Sequence, residues 1–108
     1  MLFRSIDALQ EATQWIVDTF QKNPNGVFAV AVPYLMLFGN VGGGWMMARA
    51  AAVAQRKRAE AGADVSFYEA KLATARFYTE HILPQSAALK RTVVTGAASV
   101  LALAEDQF

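Results

Sequence analysis

Cysteine is absent from this sequence of 108 residues, and histidine occurs only once, as His81. Without cysteine the chain has neither disulfides nor thiolate chemistry, which fits a reducing compartment. A zinc site needs several converging ligands, so one histidine does not provide the usual set. We therefore interpret His81 as a structural residue near a helix end and predict no metal site.

Charged residues are also scarce, at 18% of the chain, with a formal net charge of +1 and a sequence pI near 8.1. Nucleic-acid binders concentrate basic residues on one face and usually have a pI above ~9, so we expect no nucleic-acid partner. We interpret Arg56-Lys57-Arg58 as a solvated helix end that suits the negative end of the helix dipole. Residues Met1 to Asp7 contain no apolar run typical of a signal peptide, which favours a cytoplasmic location.

Apolar residues are in excess, at 55% of the chain, whereas ~45–50% is usual. A domain of this size has a large surface for its volume. The excess is therefore difficult to bury inside one small domain. We expect a second protein surface or a membrane to cover part of it.

An amphipathic helix is predicted in the segment before Asn23. Apolar or small residues follow one another at steps of four and three residues, which is typical of a helix with one buried face: Leu2, Ile6, Leu9, Thr13, Ile16 and Phe20. The residues Asn23-Pro24-Asn25-Gly26 then predict a turn, because they accept turn geometry or fix φ.

A second helix is predicted from about Val27 to Ala61, with a kink or restart at Pro33. Its first two-thirds is apolar on every side, which predicts burial on every side. Gly39 and Gly43 are four residues apart, a spacing that lets another helix approach closely. The segment Gly39 to Trp45 is not a phosphate loop, because it lacks the Gly-Lys-Ser/Thr ending and a preceding strand.

Gly62 predicts the end of that helix in the left-handed conformation. Ser66 and Glu69 then read as a capping box for the next helix. Its stripe of apolar and small residues runs from Tyr68 to Leu103 and passes Pro84, either as two helices nearly end to end or as one kinked helix. The predicted fold is a single all-α domain over residues 1–108, an antiparallel bundle of three to four helices with a kink or break near Pro84.

No carboxylate pair, activated nucleophile or metal cluster is evident, so we predict no catalytic, cofactor-binding or metal-binding residues in this chain. The aromatic residues lie at helical spacing, which favours packing over a cofactor pocket. Six residues of the second helix are the predicted interface, for packing or for oligomer formation: Tyr34, Leu37, Phe38, Gly39, Gly43 and Trp45.

The uncharged stretch from Gly26 to Ala48 is long enough to span a bilayer. A small membrane protein is therefore an alternative. Pro33, Asn40 and the glycines argue against it, as does the absence of a matching second span. The helix after Ser66 also carries several charges, which are costly in lipid. A free-standing helical dimerisation module is the other alternative.

Packing motifs follow one another in an order that resembles a known domain: Pro33-Tyr34-Leu35, Gly39, Gly43-Gly44-Trp45, Arg49-Ala50-Ala51, Phe67-Tyr68, Lys71-Leu72, Ala75-Arg76-Phe77-Tyr78 and Leu83-Pro84. This is the extra C-terminal domain of a bacterial subgroup of acyl-CoA dehydrogenases that includes the methylmercaptopropionyl-CoA dehydrogenase type. The resemblance covers about Ala12 to Leu103.

The resemblance implies a role inside a larger FAD-dependent enzyme that oxidises acyl-CoA thioesters to 2-enoyl-CoA. In such enzymes a glutamate takes the α-proton and FAD accepts a hydride from the β-carbon. The flavin site and this base would lie upstream in the parent chain, so no such role is carried to a residue here. The implied partner is the dehydrogenase core of the same parent chain, and a homodimer is also expected.

Overall fold

The computed structural model describes residues 1–108 as six α-helices without a strand: α1 (Leu2–Phe20), α2 (Pro24–Ala29), α3 (Ala31–Arg58), α4 (Val65–Phe77), α5 (Gln85–Thr95) and α6 (Ala97–Val100). A π-helical turn, Tyr78–Ile82, joins α4 to the short break before α5, and a 3-10 turn, Glu105–Gln107, lies near the end. The all-α bundle is confirmed, with α1, α3, α4 and α5 as its long helices.

The central element is α3, whose 28 residues give it a length of about 42 Å. Helices α1 and α5 pack on its N-terminal half, and α4 packs antiparallel on its C-terminal half. One end of the molecule is thus a three-helix bundle. The other end, formed by α3 and α4 alone, is a two-helix hairpin.

The helix directions follow from individual contacts. Tyr34 of α3 meets Thr13 of α1 through their hydroxyl groups, 2.7 Å apart. Lys90 of α5 forms an ion pair of 2.9 Å with Glu11, while the Ser5 hydroxyl donates to the carbonyl oxygen of Leu83 at 3.3 Å. Helices α1 and α5 therefore run parallel to each other and antiparallel to α3.

The molecule is elongated, with extents of 68 × 28 × 15 Å and a radius of gyration of 18.8 Å. A compact domain of this length has a radius of gyration of about 13 Å. Its accessible area is 7557 Å², against about 5,900 Å² for a compact chain of this mass. The hairpin accounts for the shape, since no third helix covers it. Many large apolar side chains therefore remain exposed in this chain.

The predicted break after the first helix is confirmed, but it lies at residues 21–23, and Pro24 to Gly26 form the start of α2 instead of a turn. The Asn23 side chain accepts a hydrogen bond of 3.1 Å from the Gly26 amide, and Pro24 occupies the first turn, where its missing N–H costs nothing. The predicted restart near Pro33 is confirmed: α2 ends at Ala29 and α3 begins at Ala31. A proline ring clashes with the carbonyl four residues earlier, here that of Ala29, which separates the two helices.

The second break contains Gly62 in the left-handed region, with φ of 74°, as predicted. Helix α3 ends at Arg58, three residues before the predicted end. The predicted capping box is wrong, since Asp64 is the N-cap and its carboxylate accepts from the Phe67 amide at 3.2 Å. Aspartate caps as well as serine does, and Ser66 lies within the first turn of α4.

Near Pro84 the chain forms two separate helices, α4 and α5, which decides between the two predicted arrangements. The π-helical turn closes with a hydrogen bond of 3.1 Å from the Leu83 amide to the Tyr78 carbonyl. Its wider turn shifts the buried side of the chain, so that Leu83 is buried instead of Ile82. The predicted stripe beyond Gly96 is wrong, because α6 ends at Val100 and residues 101–108 are exposed.

Candidate interaction surface

The predicted burial of α3 on every side is wrong within this chain. The buried residues of α3 are few, namely Leu37, Val41, Gly44 and Ala54. Leu37 is 0% exposed and belongs to a small core cluster with the following residues: Ala12, Val30, Val41 and Val93. Leu37, a predicted interface residue, therefore packs inside the chain itself. The other sides of α3 face outward.

Large apolar side chains project from α2 and the start of α3. We call these residues the apolar face: Phe28, Val32, Leu35, Met36 and Phe38. Leu35 is 69% exposed and Phe28 is 62% exposed. Contiguous exposed apolar surface is rare on soluble monomers and marks interaction sites.

A groove of about 450 Å³ crosses the apolar face, and every residue that lines it is hydrophobic: Ile16, Val27, Phe28, Ala31, Tyr34, Leu35 and Phe38. The Tyr34 hydroxyl is already paired with Thr13, so this residue offers its ring to the groove. The Phe28 ring makes an edge contact with Phe20, with 6.0 Å between ring centroids. Aromatic pairs of this kind fix the walls of the groove.

Gly43 and Gly44 lie where α3 meets the π-helical turn. A Cβ atom at Gly44 would approach the Leu83 side chain to 2.7 Å, and one at Gly43 would contact the Tyr78 ring, with its Cζ at 3.1 Å. By contrast, Gly39 has no atom within 4 Å of the equivalent position. The structure thus gives Gly43 a close helix contact and leaves Gly39 on the open surface.

The Tyr78 hydroxyl donates a hydrogen bond of 2.6 Å to the carbonyl oxygen of Asn40. This bond ties the π-helical turn to the middle of α3. Burial raises the pKa of Tyr78 above its ordinary value, because the ionised form is poorly solvated there. The neutral phenol therefore keeps the proton that this contact requires.

Trp45 lies on the hairpin, where the residue is 51% exposed. The Arg49 guanidinium stands over this ring at 4.9 Å from the centroid, and Lys71 stands over the Phe67 ring at 5.2 Å. A second groove of about 400 Å³, which we call the hairpin groove, is lined by Met46, Arg49, Ala50, Val53, Ala54, Phe67, Tyr68 and Lys71. Sequence reasoning missed this groove, because its residues come together only when α4 packs on α3.

The chain contains no group of three or more His, Cys, Asp or Glu side chains that could hold a metal ion. His81 stacks on Phe77, with 4.4 Å between ring centroids. None of the helices combines the length and hydropathy needed to cross a bilayer. The predicted alternative span, Gly26 to Ala48, is divided between α2 and α3.

The residues of the apolar groove do not fit a flavin. Proteins tune a bound flavin through hydrogen bonds and charges at its ring nitrogens. The one polar atom that the lining side chains carry is the Tyr34 hydroxyl, and this hydroxyl is paired with Thr13. No chemical step of a flavin is therefore assigned to this groove.

The fold defines the chain as an all-α domain built on one long central helix. The chain belongs to the acetyl-CoA dehydrogenase C-terminal-like family, whose model matches residues 1–104. Over 73 residues it is 36% identical to the 3-methylmercaptopropionyl-CoA dehydrogenase of Ruegeria pomeroyi. The match covers 68% of this chain but only 12% of that protein. The resemblance identified in the sequence is confirmed.

Proposed function

We propose that this chain is the helical accessory domain of an FAD-dependent acyl-CoA dehydrogenase. The flavin, the catalytic base and the oxidation of acyl-CoA thioesters to 2-enoyl-CoA belong to the rest of the parent enzyme, in the cytoplasm. The role of this domain is to pack its apolar face on the dehydrogenase core and to stabilise the assembly. Family membership and the similarity to a dehydrogenase many times longer support this proposal.

The observation that carries the proposal is the uncovered apolar face. Each of its five large apolar side chains is at least half exposed in the isolated chain. Protein surfaces that cover such side chains are typical of stable interfaces. The groove in the apolar face is free of charged lining residues, and the centres of protein interfaces are depleted of charge in the same way.

A second copy of this chain can cover the same face when the dehydrogenase core is missing. We propose that isolated chains form a two-fold dimer, the commonest closed arrangement. A net charge of +1 gives little repulsion between two copies. In the alternative function, a free-standing dimerisation module, this dimer would be the functional form of the protein.

An immunoblot of the source cells tests the accessory role. The relative is about 600 residues long, since 73 residues are 12% of it. An antibody raised against this chain is expected to detect a protein of comparable length, because the domain is translated together with its dehydrogenase core. The recombinant 11.7 kDa chain serves as the size control. A band at 11.7 kDa alone would contradict the accessory role and favour the free-standing module.

A further inference from the structure

Positive charge predominates along the hairpin, although Glu60, Asp64 and Glu69 also lie on it. Helix α3 contains no acidic residue between Ala31 and Arg58, yet it carries Arg49 and ends in Arg56-Lys57-Arg58. The chain has one ion pair, between Lys90 and Glu11, at the other end of the molecule. The cations of α3 and Lys71 of α4 therefore have no acidic partner within salt-bridge distance.

The cations of the hairpin groove accompany exposed aromatic rings. Arg49 is held over Trp45 and Lys71 over Phe67, so one cation and one ring come from each helix. Arg56 follows Arg49 by seven residues, or about two turns, and so extends the positive side of α3. Between the two helices the floor of the groove is apolar, with Met46, Ala50 and Val53 among its lining residues.

We propose that the hairpin groove binds the adenine nucleotide end of coenzyme A. The flat base would lie on the apolar floor beside the Phe67 ring, and the phosphates would meet Arg49, Lys71 and Arg56. Aromatic surfaces take up nucleotide bases, and arginine pairs with phosphate through two parallel hydrogen bonds. The groove volume of about 400 Å³ lies within the range of small-molecule sites.

This inference rests on the proposed function, in which a coenzyme A thioester is the substrate of the parent enzyme. The nucleotide end of such a substrate is remote from the reacting carbons. Binding energy from a remote part of a substrate can be used to position the reacting part. An accessory domain that holds this end would therefore contribute to substrate binding without touching the reacting atoms.

Isothermal titration calorimetry of the purified chain at low salt tests the site, with coenzyme A, 3′-dephospho-coenzyme A and FAD as separate ligands. Coenzyme A is expected to bind one per chain with saturation below ~5 mM, an affinity typical of a partial site. Loss of the 3′-phosphate should weaken binding roughly fivefold, because one charged contact is lost. FAD shares the adenine and the diphosphate, so it should bind no better than the dephosphorylated ligand.

The double variant Arg49→Gln, Lys71→Gln should weaken coenzyme A binding at least about tenfold. Arg91→Gln is the matched control, since Arg91 is an exposed cation on α5 at the other end of the molecule. All three altered side chains are exposed, so circular dichroism should show unchanged helix content. No saturation with coenzyme A, equal binding of FAD, or an unchanged affinity of the double variant would each overturn the proposal.

These outcomes are independent of the immunoblot described above. If the immunoblot shows a large parent protein and coenzyme A does not bind, the accessory role stands and the proposed nucleotide site is contradicted. If coenzyme A binds but the immunoblot shows only a chain of 11.7 kDa, the proposed accessory role is contradicted instead.

Discussion

Leu37→Ala is expected to lower the free energy of unfolding by ~2–5 kcal/mol, the range measured for leucine truncation in protein cores. Leu37 is 0% exposed and lies in a cluster with only four other buried residues. A core of this size has few neighbours that can move into the space of the missing methyl groups. A chain of this length has a total stability of only ~5–15 kcal/mol, so this loss is a large share of it.

Urea unfolding, followed by circular dichroism at one fixed protein concentration, measures this effect. The concentration must be fixed because association adds to apparent stability. Leu103→Ala is the matched control, since Leu103 is 53% exposed in the segment after α6. Its loss of stability should stay within ~0.5 kcal/mol. Equal losses in the two variants would show that Leu37 is not a core residue.

Gly43→Leu is expected to destabilise the fold by ~1–3 kcal/mol or more, the usual cost of overpacking. The new side chain would push against the Tyr78 ring, whose Cζ lies 3.1 Å from the position of the added Cβ. Displacement of Tyr78 would also break its hydrogen bond to the Asn40 carbonyl. The contact between α3 and the π-helical turn would then be lost.

Gly39→Leu is the control for this substitution on the same helix, one turn earlier. No atom lies within 4 Å of its added Cβ, and leucine favours a helix over glycine by up to ~1 kcal/mol. The two variants should therefore shift the urea midpoint in opposite directions. Equal destabilisation by both would mean that helix contacts at Gly43 are not special.

Local rules predicted the helix breaks well. Gly62 predicted a left-handed helix end, and Pro33 predicted the start of a new helix. Both effects depend only on the backbone of neighbouring residues. The N-cap residues were harder to predict from the sequence, because Asn23 is as common in turns as at N-caps. Asp64 and Ser66 are both good caps. The choice between such candidates depends on which start lets the following helix pack.

The π-helical turn was not predictable from residue spacing. It inserts one residue into the repeat and turns Leu83 inward in place of Ile82. Its position depends on Tyr78 reaching the Asn40 carbonyl, a contact between residues 38 positions apart. No periodicity within one helix reports such a contact.

The candidate surface was predicted in part. The second helix has more apolar side chains than its neighbours can cover, and this indicated an exposed apolar face. Phe38 lies on that face and is 56% exposed. A uniformly apolar sequence does not reveal which side of the helix is buried, so Leu37 was grouped with Phe38 although the two point in different directions. Arg56-Lys57-Arg58 were interpreted as a solvated helix end. The approach of Lys71 to Arg49 in the hairpin groove was not predicted, because it depends on tertiary packing.

The apolar face is proposed to be a contact surface. Leu35→Glu tests it with little risk to the fold, because Leu35 is 69% exposed. A carboxylate at the centre of an apolar contact would be desolvated without a partner, which is strongly unfavourable. Ala73→Glu on the exposed side of α4 adds the same charge away from the face and should leave association unchanged.

Size-exclusion chromatography coupled to light scattering, at tens of micromolar protein, measures the outcome directly. We expect twice the chain mass of 11.7 kDa for the unaltered chain and for Ala73→Glu, and the monomer mass for Leu35→Glu. A monomer mass for the unaltered chain under these conditions would contradict the proposed contact surface.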